Sequence, residues 1–484
     1  MTDQRLDTEQ TIRDWLSDSV PDRAPASLRE TLEDVTSEPA GHARPWPRRG
    51  YGLRFAGRVA AALAILAVVG SGVYALSLRS SSPASPTTTP SAAPGSPTGA
   101  MSPIPQTAAP RPTPSVEQLP GSSWRMVSGA LPQMMLRSPS ESPVFAATTG
   151  SSAGFLAFVP STAGPSFQTE QGILIKLQTS VFQSGDGITW TERAVLPSDA
   201  ATVTSVASSG GQIVAVGWTG NASNSIPMAW TSSDLTTWQA TVLPAPDGTD
   251  AFGVAAGPAG FLAWGYATTG TEFWISTDGA TWRSVATSGL PADGAIDALY
   301  GVSDGWVIRG PLSDRAAVWH SPDGRVWTQT YTGPAGYASP SGTQYSAMGP
   351  IAKAPGGGYV SFGDVGVASG QPSTPRDLLL WTSPDMTNWT PSTRVPAPGW
   401  MTVFAAGPGG YVGGGSQPAV TMAGVTNWGS FGVWTSPDGR TWQAVAGIPA
   451  TPPIEVLAVV GNGSHVVVVC VDQAGNLELL VGDG

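Results

Sequence analysis

The chain has 484 residues, a formal net charge of −11, 60 glycines, 45 prolines and a single cysteine. The acidic balance argues against nucleic acid as a partner of the large domain, and one cysteine cannot form an intramolecular disulfide. Glycine and proline at this level, with 12% charged residues, are typical of turn-rich all-β structure joined to a flexible linker.

Residues 1–58 contain two short helical patterns. Ile12, Trp15 and Leu16 share one helix face in the first pattern. Ser27 and Glu30 form a capping box that opens the second. Two helices of this length cannot hold a core alone, so we expect them to dock on a regulatory partner, lie on the membrane or stay partly disordered.

Val59–Leu78 is an uncharged apolar stretch, long enough to cross a bilayer as one helix. A cleaved signal peptide is the alternative, but the preceding segment is too long for one. Five arginines precede the stretch and one follows it, which places the N-terminus in the cytoplasm and the C-terminal domain outside. Residues 79–120, rich in Ser, Thr and Pro, are predicted to form an extended stalk.

Residues 121–484 contain a short motif that recurs with small variations. Its clearest copy is the Ser-Pro-Asp-Gly-Arg-Thr-Trp segment Ser436–Trp442. The closing tryptophans lie roughly 45 to 60 residues apart, which is the period of a β-propeller blade of four strands. The other copies are Ser184–Trp190, Ser232–Trp238, Ser276–Trp282, Ser321–Trp327 and Ser383–Trp389.

Each copy lies between two short apolar runs, as expected for a tight turn between two strands. The aspartate can accept hydrogen bonds from the N–H groups of its own turn, and the glycine can supply a left-handed conformation. A turn needed in every blade explains the repetition without chemistry. We therefore assign a structural role to Asp186, Asp234, Asp278, Asp323, Asp385, Asp438 and Asp483.

The motif resembles the Asp-box, or BNR, repeat of sialidase-like propellers. In this chain the glycine follows the aspartate directly, and Leu235 and Met386 replace it in two copies. The resemblance implies an all-β propeller in which the boxes are peripheral turns. A sialidase would also need an arginine cluster and an Arg-Ile-Pro motif, which the sequence lacks.

Six blades follow directly, at 142–196, 202–243, 249–289, 296–333, 344–393 and 400–446. The C-terminal segment supplies three more strands and stops inside a box, whereas Ser123-Trp124-Arg125 matches the second half of one, Thr281-Trp282-Arg283. We therefore predict a seventh blade that the N-terminal strand completes. A six-bladed ring with an irregular tail is the alternative.

Strand B–C and D–A loops of a propeller open on the face opposite the boxes, and several of these loops are long. Long loops often hold recognition residues. Polar and aromatic groups there suit a sugar or a peptide. The predicted binding residues are Gln168, Glu170, Tyr337, Tyr345, Arg376, Asn427 and Trp428.

No motif in the sequence predicts catalysis, a metal site or a cofactor. The three histidines have no ligand spacing, and Cys470 is expected to be buried and inert. We predict a membrane-anchored extracellular module that binds glycan or protein. One alternative is a glycoside hydrolase or lyase that uses acids such as Glu170, Asp293, Asp297, Asp314 or Asp377. The other is a transmembrane regulator with the layout of bacterial anti-sigma factors.

Overall fold

A computed structural model gives the fold of most of the C-terminal part of the chain. The described residues are 114–132, 142–148, 154–161, 167–169, 172–174, 178–198, 201–220, 225–291, 296–313, 315–334, 338–339, 342–343, 345–366, 377–396, 399–416, 420–422, 425–427, 431–448, 455–472 and 475–483. The predicted cytoplasmic helices and the predicted span Val59–Leu78 lie outside them. Within the described ranges, no helix has the length and apolarity to span a bilayer.

These residues form a seven-bladed β-propeller, and each blade is an antiparallel sheet whose strands are lettered A to D from the axis outward. Blade 1 comprises Val144–Thr148, Gly154–Ser161, Gln178–Ser184 and Thr191–Val195. Blade 2 comprises Thr202–Ser209, Gln212–Thr219, Ile226–Ser232 and Gln239–Val242. Blade 3 comprises Asp250–Gly257, Gly260–Ala267, Gly270–Ser276 and Arg283–Ser284.

Blades 4 to 6 repeat this order. Blade 4 comprises Ala298–Val302, Gly305–Leu312, Arg315–Ser321 and Thr328–Thr332. Blade 5 comprises Tyr345–Lys353, Tyr359–Gly366, Asp377–Ser383 and Thr390–Pro396. Blade 6 comprises Trp400–Gly407, Gly410–Ser416, Phe431–Ser436 and Gln443–Ala444. The blade limits predicted from the box period are thus confirmed to within a few residues.

Blade 7 closes the ring with strands from both ends of the propeller. Its strands A to C are Glu455–Gly461, His465–Val471 and Leu477–Asp483, and strand D is Trp124–Ser128. The predicted closure is confirmed, and so is its strand register. Arg125 on strand D pairs with Val481 on strand C, and the equivalent residues of blade 3, Arg283 and Ile275, pair in the same way. Pairing the two chain ends removes the open edge of the ring.

A fifth strand, Ser115–Gln118, pairs with Trp124–Ser128 on the outside of blade 7. The prediction of a stalk that reaches residue 120 is therefore wrong at its C-terminal end. Composition alone could not reveal this strand, because all four of its residues are exposed and it has no apolar alternation. Backbone pairing to the closing strand holds it in the sheet.

The core consists of seven clusters of buried side chains among the described residues, one between each pair of neighbouring blades. A tryptophan two positions before the box serine recurs on strand C and is almost fully buried. A large ring at this position fills the wedge between two blades. The residues concerned are Trp230, Trp274, Trp319, Trp381 and Trp434.

The two faces of the ring differ in their loops. The boxes connect strands C and D and lie on one face, which we call the box face; the B–C and D–A loops lie on the opposite face, which we call the top face. Three long top-face loops include small two-stranded ribbons, none of which was predicted. They pair Phe167–Thr169 with Gly172–Leu174, Ala338–Ser339 with Gly342–Thr343, and Val420–Met422 with Val425–Asn427.

Candidate recognition surface on the top face

The box of blade 3 has all its polar groups satisfied by its own turn. Asp278 Oδ1 accepts hydrogen bonds from the backbone N–H groups of Ala280 (2.9 Å) and Thr281 (2.7 Å). Ser276 Oγ accepts from the N–H of Gly279 at 2.8 Å, and Trp282 Nε1 donates to the Gly279 carbonyl at 2.9 Å. The N–H groups of Thr281 and Ala280 lower the pKa of Asp278 to about 2.

The other five boxes repeat the aspartate part of this network, and the tryptophan bond recurs in all of them but the blade 4 box, where Trp327 Nε1 has no partner among the described residues. Their aspartates each accept two backbone N–H groups from the residues two and three positions ahead: Asp186, Asp234, Asp323, Asp385 and Asp438. Leu235 and Met386 adopt positive φ angles of 66° and 68° where the other boxes have glycine. Both side chains are buried against the neighbouring blade, which offsets the strain.

Asp483 differs from the other aspartates assigned to boxes. Gly482 pairs with Val466 on strand B, just as the box serine Ser276 pairs with Phe261 in blade 3. Gly482 therefore occupies the position of the box serine. Asp483 follows it directly and so lies one residue before the position of a box aspartate. Its carboxylate forms an ion pair with Arg125 and lies 2.9 Å from His465 Nδ1. Asp483 thus links strands B, C and D of the closing blade.

The structure leaves the predicted loop residues largely undescribed. Gln168, Tyr345 and Asn427 lie in strands of the top-face loops, but the placement of their side chains lies outside the described part of the molecule. The remaining four predicted residues lie wholly outside the described ranges: Glu170, Tyr337, Arg376 and Trp428. Their proposed role in binding stays a prediction.

One of the five candidate catalytic acids has a described side chain. Asp297 lies 3.2 Å from Arg309 Nη1, and the same guanidinium donates to the carbonyl of Met348 in blade 5. Burial raises the pKa of Asp297, and the charge of Arg309 opposes that shift. Arg309 therefore ties blade 4 to blade 5. Glu170, Asp293 and Asp314 lie outside the described residues, as does the Asp377 side chain.

An aromatic cluster that sequence reasoning missed lies at the top-face ends of blades 2 and 3. We call it the aromatic patch and define it as Trp218, Phe252, Trp264 and Tyr266. The ring of Phe252 lies 5.7 Å from Trp218, 5.8 Å from Trp264 and 5.7 Å from Tyr266, measured between centroids. The Phe252 side chain is nevertheless 36% exposed. Three aromatic rings thus meet around one ring that remains open to solvent.

A β-bulge exposes Phe252. Strand A of blade 3 shifts register between Ala251 and Gly253, so the residue between them has no partner on strand B. Strand A bulges at the equivalent residue in blades 2 and 6, where the residues are Thr204 and Thr402. Those threonines donate to backbone carbonyls, Thr204 to Ala251 at 2.9 Å and Thr402 to Gly414 at 3.4 Å. A phenylalanine cannot make such a bond and packs on aromatic neighbours instead.

Trp264 is the buried base of the aromatic patch. Its ring stacks on Phe252 with an interplanar angle of 28°, and the side chain is 4% exposed. A Cβ on residue 253 would lie 2.3 Å from Trp264 Nε1, so Gly253 leaves the space that the indole fills. The indole N–H has no acceptor among the described residues, which costs about 1–3 kcal/mol. The stacked arrangement persists despite that cost.

A cavity of about 270 Å³ adjoins the aromatic patch between blades 3 and 4. Its floor includes Phe273 and Trp319, and the hydroxyl-bearing residues Thr269, Thr271 and Thr287 line its walls. The Tyr266 hydroxyl accepts the N–H of Ile296, another lining residue, at 2.9 Å. The patch and the cavity therefore share a wall, and the top face of blade 3 offers aromatic and polar contacts side by side.

The repeat could have pointed to this site. Alignment of the strand A segments places Phe252 opposite Thr204, Thr402 and Leu457, so it is the aromatic member among these four bulge residues. Within the described residues, no group of three or more His, Cys, Asp or Glu side chains is placed to hold a metal ion.

Comparisons with known proteins bear on the fold. No family model and no curated protein sequence matches this chain. Among solved structures, YCF48 bound to a D1 peptide is similar over 76% of this chain and 98% of its own, with 14% identity and a TM-score of 0.44. The α-L-arabinofuranosidase Arb93A of Fusarium graminearum, complexed with an iminosugar inhibitor, is similar over 58% of this chain and 93% of its own, with 12% identity and a TM-score of 0.35.

A sialidase is also among the similar structures. The enzyme of Trypanosoma rangeli, solved as a covalent intermediate with 2,3-difluorosialic acid, is 13% identical with a TM-score of 0.36. The similarity extends over 70% of this chain and 53% of the sialidase. At these identities the likeness concerns the propeller architecture and not the activity of any of these proteins.

Proposed function

We propose that this chain is a membrane-anchored binding protein whose propeller recognises an extracellular glycan or protein through its top face. The observation that supports this most directly is the exposed ring of Phe252, held by three further aromatic side chains. Aromatic rings open to solvent at the mouth of a fold are typical of recognition sites. On the box face, in contrast, the aspartate of each of the six boxes accepts backbone N–H groups of its own turn.

The binding proposal is tested with the full-length protein in detergent micelles, applied to a panel of immobilised polysaccharides and extracellular proteins. Retention of a ligand that Phe252→Ala reduces by about tenfold or more supports recognition by the patch. Val326→Ala is the matched control, because Val326 is a 57% exposed apolar side chain on the box face. Equal loss in both variants, or release of free sugar during incubation, would contradict the proposal.

The proposed topology places residues 1–58 in the cytoplasm, Val59–Leu78 in the bilayer and the propeller outside. The sole native cysteine, Cys470, is fully buried, so engineered cysteines report on topology with little background. A membrane-impermeant maleimide applied to intact cells should label Ser96→Cys and leave Ser17→Cys unlabelled. Labelling of Ser17→Cys alone would place the propeller in the cytoplasm.

A further inference from the structure

One acidic residue is paired with a member of the aromatic patch, and a second lies on the next strand. Asp250 is the strand-pair partner of Tyr266, so the two Cβ atoms lie roughly 5 Å apart. Glu272 on strand C is the partner of Gly265 and therefore lies on the opposite side of the sheet from Tyr266. Both acidic side chains are half-buried, and neither has a hydrogen bond or ion pair within the described residues.

Arg309 of the neighbouring blade 4 is bonded elsewhere. It pairs with Asp297 and donates to the carbonyl of Met348 in blade 5. The chain as a whole is acidic, with a net charge of −11. A cation at the patch would gain from the rings and from the Asp250 carboxylate together.

We propose that the aromatic patch, with Asp250, binds a cationic side chain, an arginine or lysine in a peptide segment of a protein ligand. This inference rests on the proposed function and specifies its ligand. A guanidinium stacks on a ring face while it donates to a carboxylate, and the Phe252 ring is the exposed member of the cluster. A neutral sugar could stack on the same rings but would leave the Asp250 carboxylate without a partner.

The ring geometry suits a planar cation. Trp218 is tilted by 56° and Tyr266 by 60° relative to Phe252. Neighbouring rings at these angles form the sides of a shallow corner around Phe252, so more than one ring can lie within about 6 Å of a bound cation. Asp250 precedes Phe252 by two residues on strand A and is paired with Tyr266, so one carboxylate belongs to the same strand end as the rings.

The test uses full-length protein in detergent micelles and fluorescence anisotropy with labelled octa-arginine, octa-glutamate and maltoheptaose. We expect octa-arginine to bind and the other two probes not to bind. Phe252→Leu keeps an apolar side chain but removes the ring, and should weaken octa-arginine binding about tenfold. Asp250→Asn should weaken it about threefold to fivefold, and a rise from 0.05 to 0.5 M salt should weaken it further.

Glu192→Gln is the matched control for charge, since Glu192 is an exposed acid on the outer strand of blade 1. Equal effects of Glu192→Gln and Asp250→Asn, with none from Phe252→Leu, would mean non-specific attraction and overturn the inference. If maltoheptaose binds, and Phe252→Leu weakens its binding whereas Asp250→Asn and salt have no effect, the cationic-ligand inference is overturned while the proposed top-face function stands. Thermal melts of each variant identify any loss of folding.

Discussion

The two faces of the propeller use the same repeated strands for different purposes. On the box face, six turns repeat one serine–aspartate bond, and in five of them the box tryptophan also donates to its own turn. On the top face, strand A begins with a bulge whose residue varies, from Thr204 to Phe252. Repetition therefore identifies what the fold needs, whereas departure from the repeat locates the aromatic patch, where we propose that binding occurs.

The largest expected difference in stability is between two tryptophan-to-alanine substitutions, one on each face of the propeller. Trp282→Ala removes a box ring that is 8% exposed in the core between blades 2 and 3, and should cost about 3–5 kcal/mol. Trp218→Ala removes a half-buried ring of the aromatic patch and should cost about 1–2 kcal/mol. Urea unfolding measures both values. Ligand retention should fall in Trp218→Ala and persist in folded Trp282→Ala. The reverse pattern would contradict the assignment of structure to the box face and of binding to the top face.

A glycine substitution tests whether the stacking of Trp264 on Phe252 is needed for stability and binding. Gly253→Ala places a Cβ against Trp264 Nε1, and the indole must shift. Overpacking of this kind should cost about 2 kcal/mol, and the displaced ring should also weaken ligand binding. Gly356→Ala is the control, because a Cβ there meets no atom within 4 Å. Unchanged stability and binding in Gly253→Ala would show that the stacked arrangement is not required.

The box aspartates make a smaller, pH-dependent contribution. Hydrogen bonds lower the folded-state pKa of Asp278 to about 2, below its ordinary value of 3.8. The unfolded chain therefore binds more protons between these values, so the contribution is complete above about pH 4 and is lost as the pH falls through about 2. Because the carboxylate is exposed, we expect at most about 1 kcal/mol from this site.

Thermal melts between pH 7 and pH 2 measure this dependence. Asp278→Asn should flatten the decline in melting temperature below pH 4. Asp250→Asn, whose carboxylate has no backbone N–H partner among the described residues, should follow the parent protein. A steeper decline in Asp278→Asn would contradict the assigned role of the box hydrogen bonds.

The smallest expected effect is at Cys470. Burial raises the pKa of its thiol, and Glu478, its strand partner, adds to that shift. A thiol that stays protonated and enclosed reacts slowly with maleimides. The native protein should therefore resist labelling until denaturant is added. Rapid labelling of the native protein would mean that blade 7 opens, and would weaken the account of a ring closed by its own chain ends.

Much of the fold could be predicted from sequence because each blade repeats one turn. The box period located six blades, and the half-boxes at Trp124 and Gly482 identified the seventh. Two details could not be predicted. The strand Ser115–Gln118 has no alternation of buried and exposed residues that would reveal it. The one-residue offset of Asp483 from the box aspartate position depends on the pairing register of strands B and C, which the sequence of the box motif does not specify.

The candidate site was harder to predict than the fold. Long loops directed attention to residues such as Gln168 and Trp428, whose side chains are not among those described. The aromatic patch instead combines strand ends of two blades, where a bulge at Phe252 turns its ring outward. The alternation of apolar and polar residues along a strand cannot locate a bulge. The extra residue of a bulge reverses the side of the sheet on which all following side chains lie, so the alternation no longer matches the faces.

The central claim is that recognition occurs at the top face and not at the boxes. Photo-crosslinking tests it most directly, with p-benzoylphenylalanine replacing either Phe252 or Val326 in the full-length protein. A bound ligand should form adducts from position 252, at the exposed aromatic ring, and none from position 326, on the box face. Adducts from position 326, with none from position 252, would contradict the account.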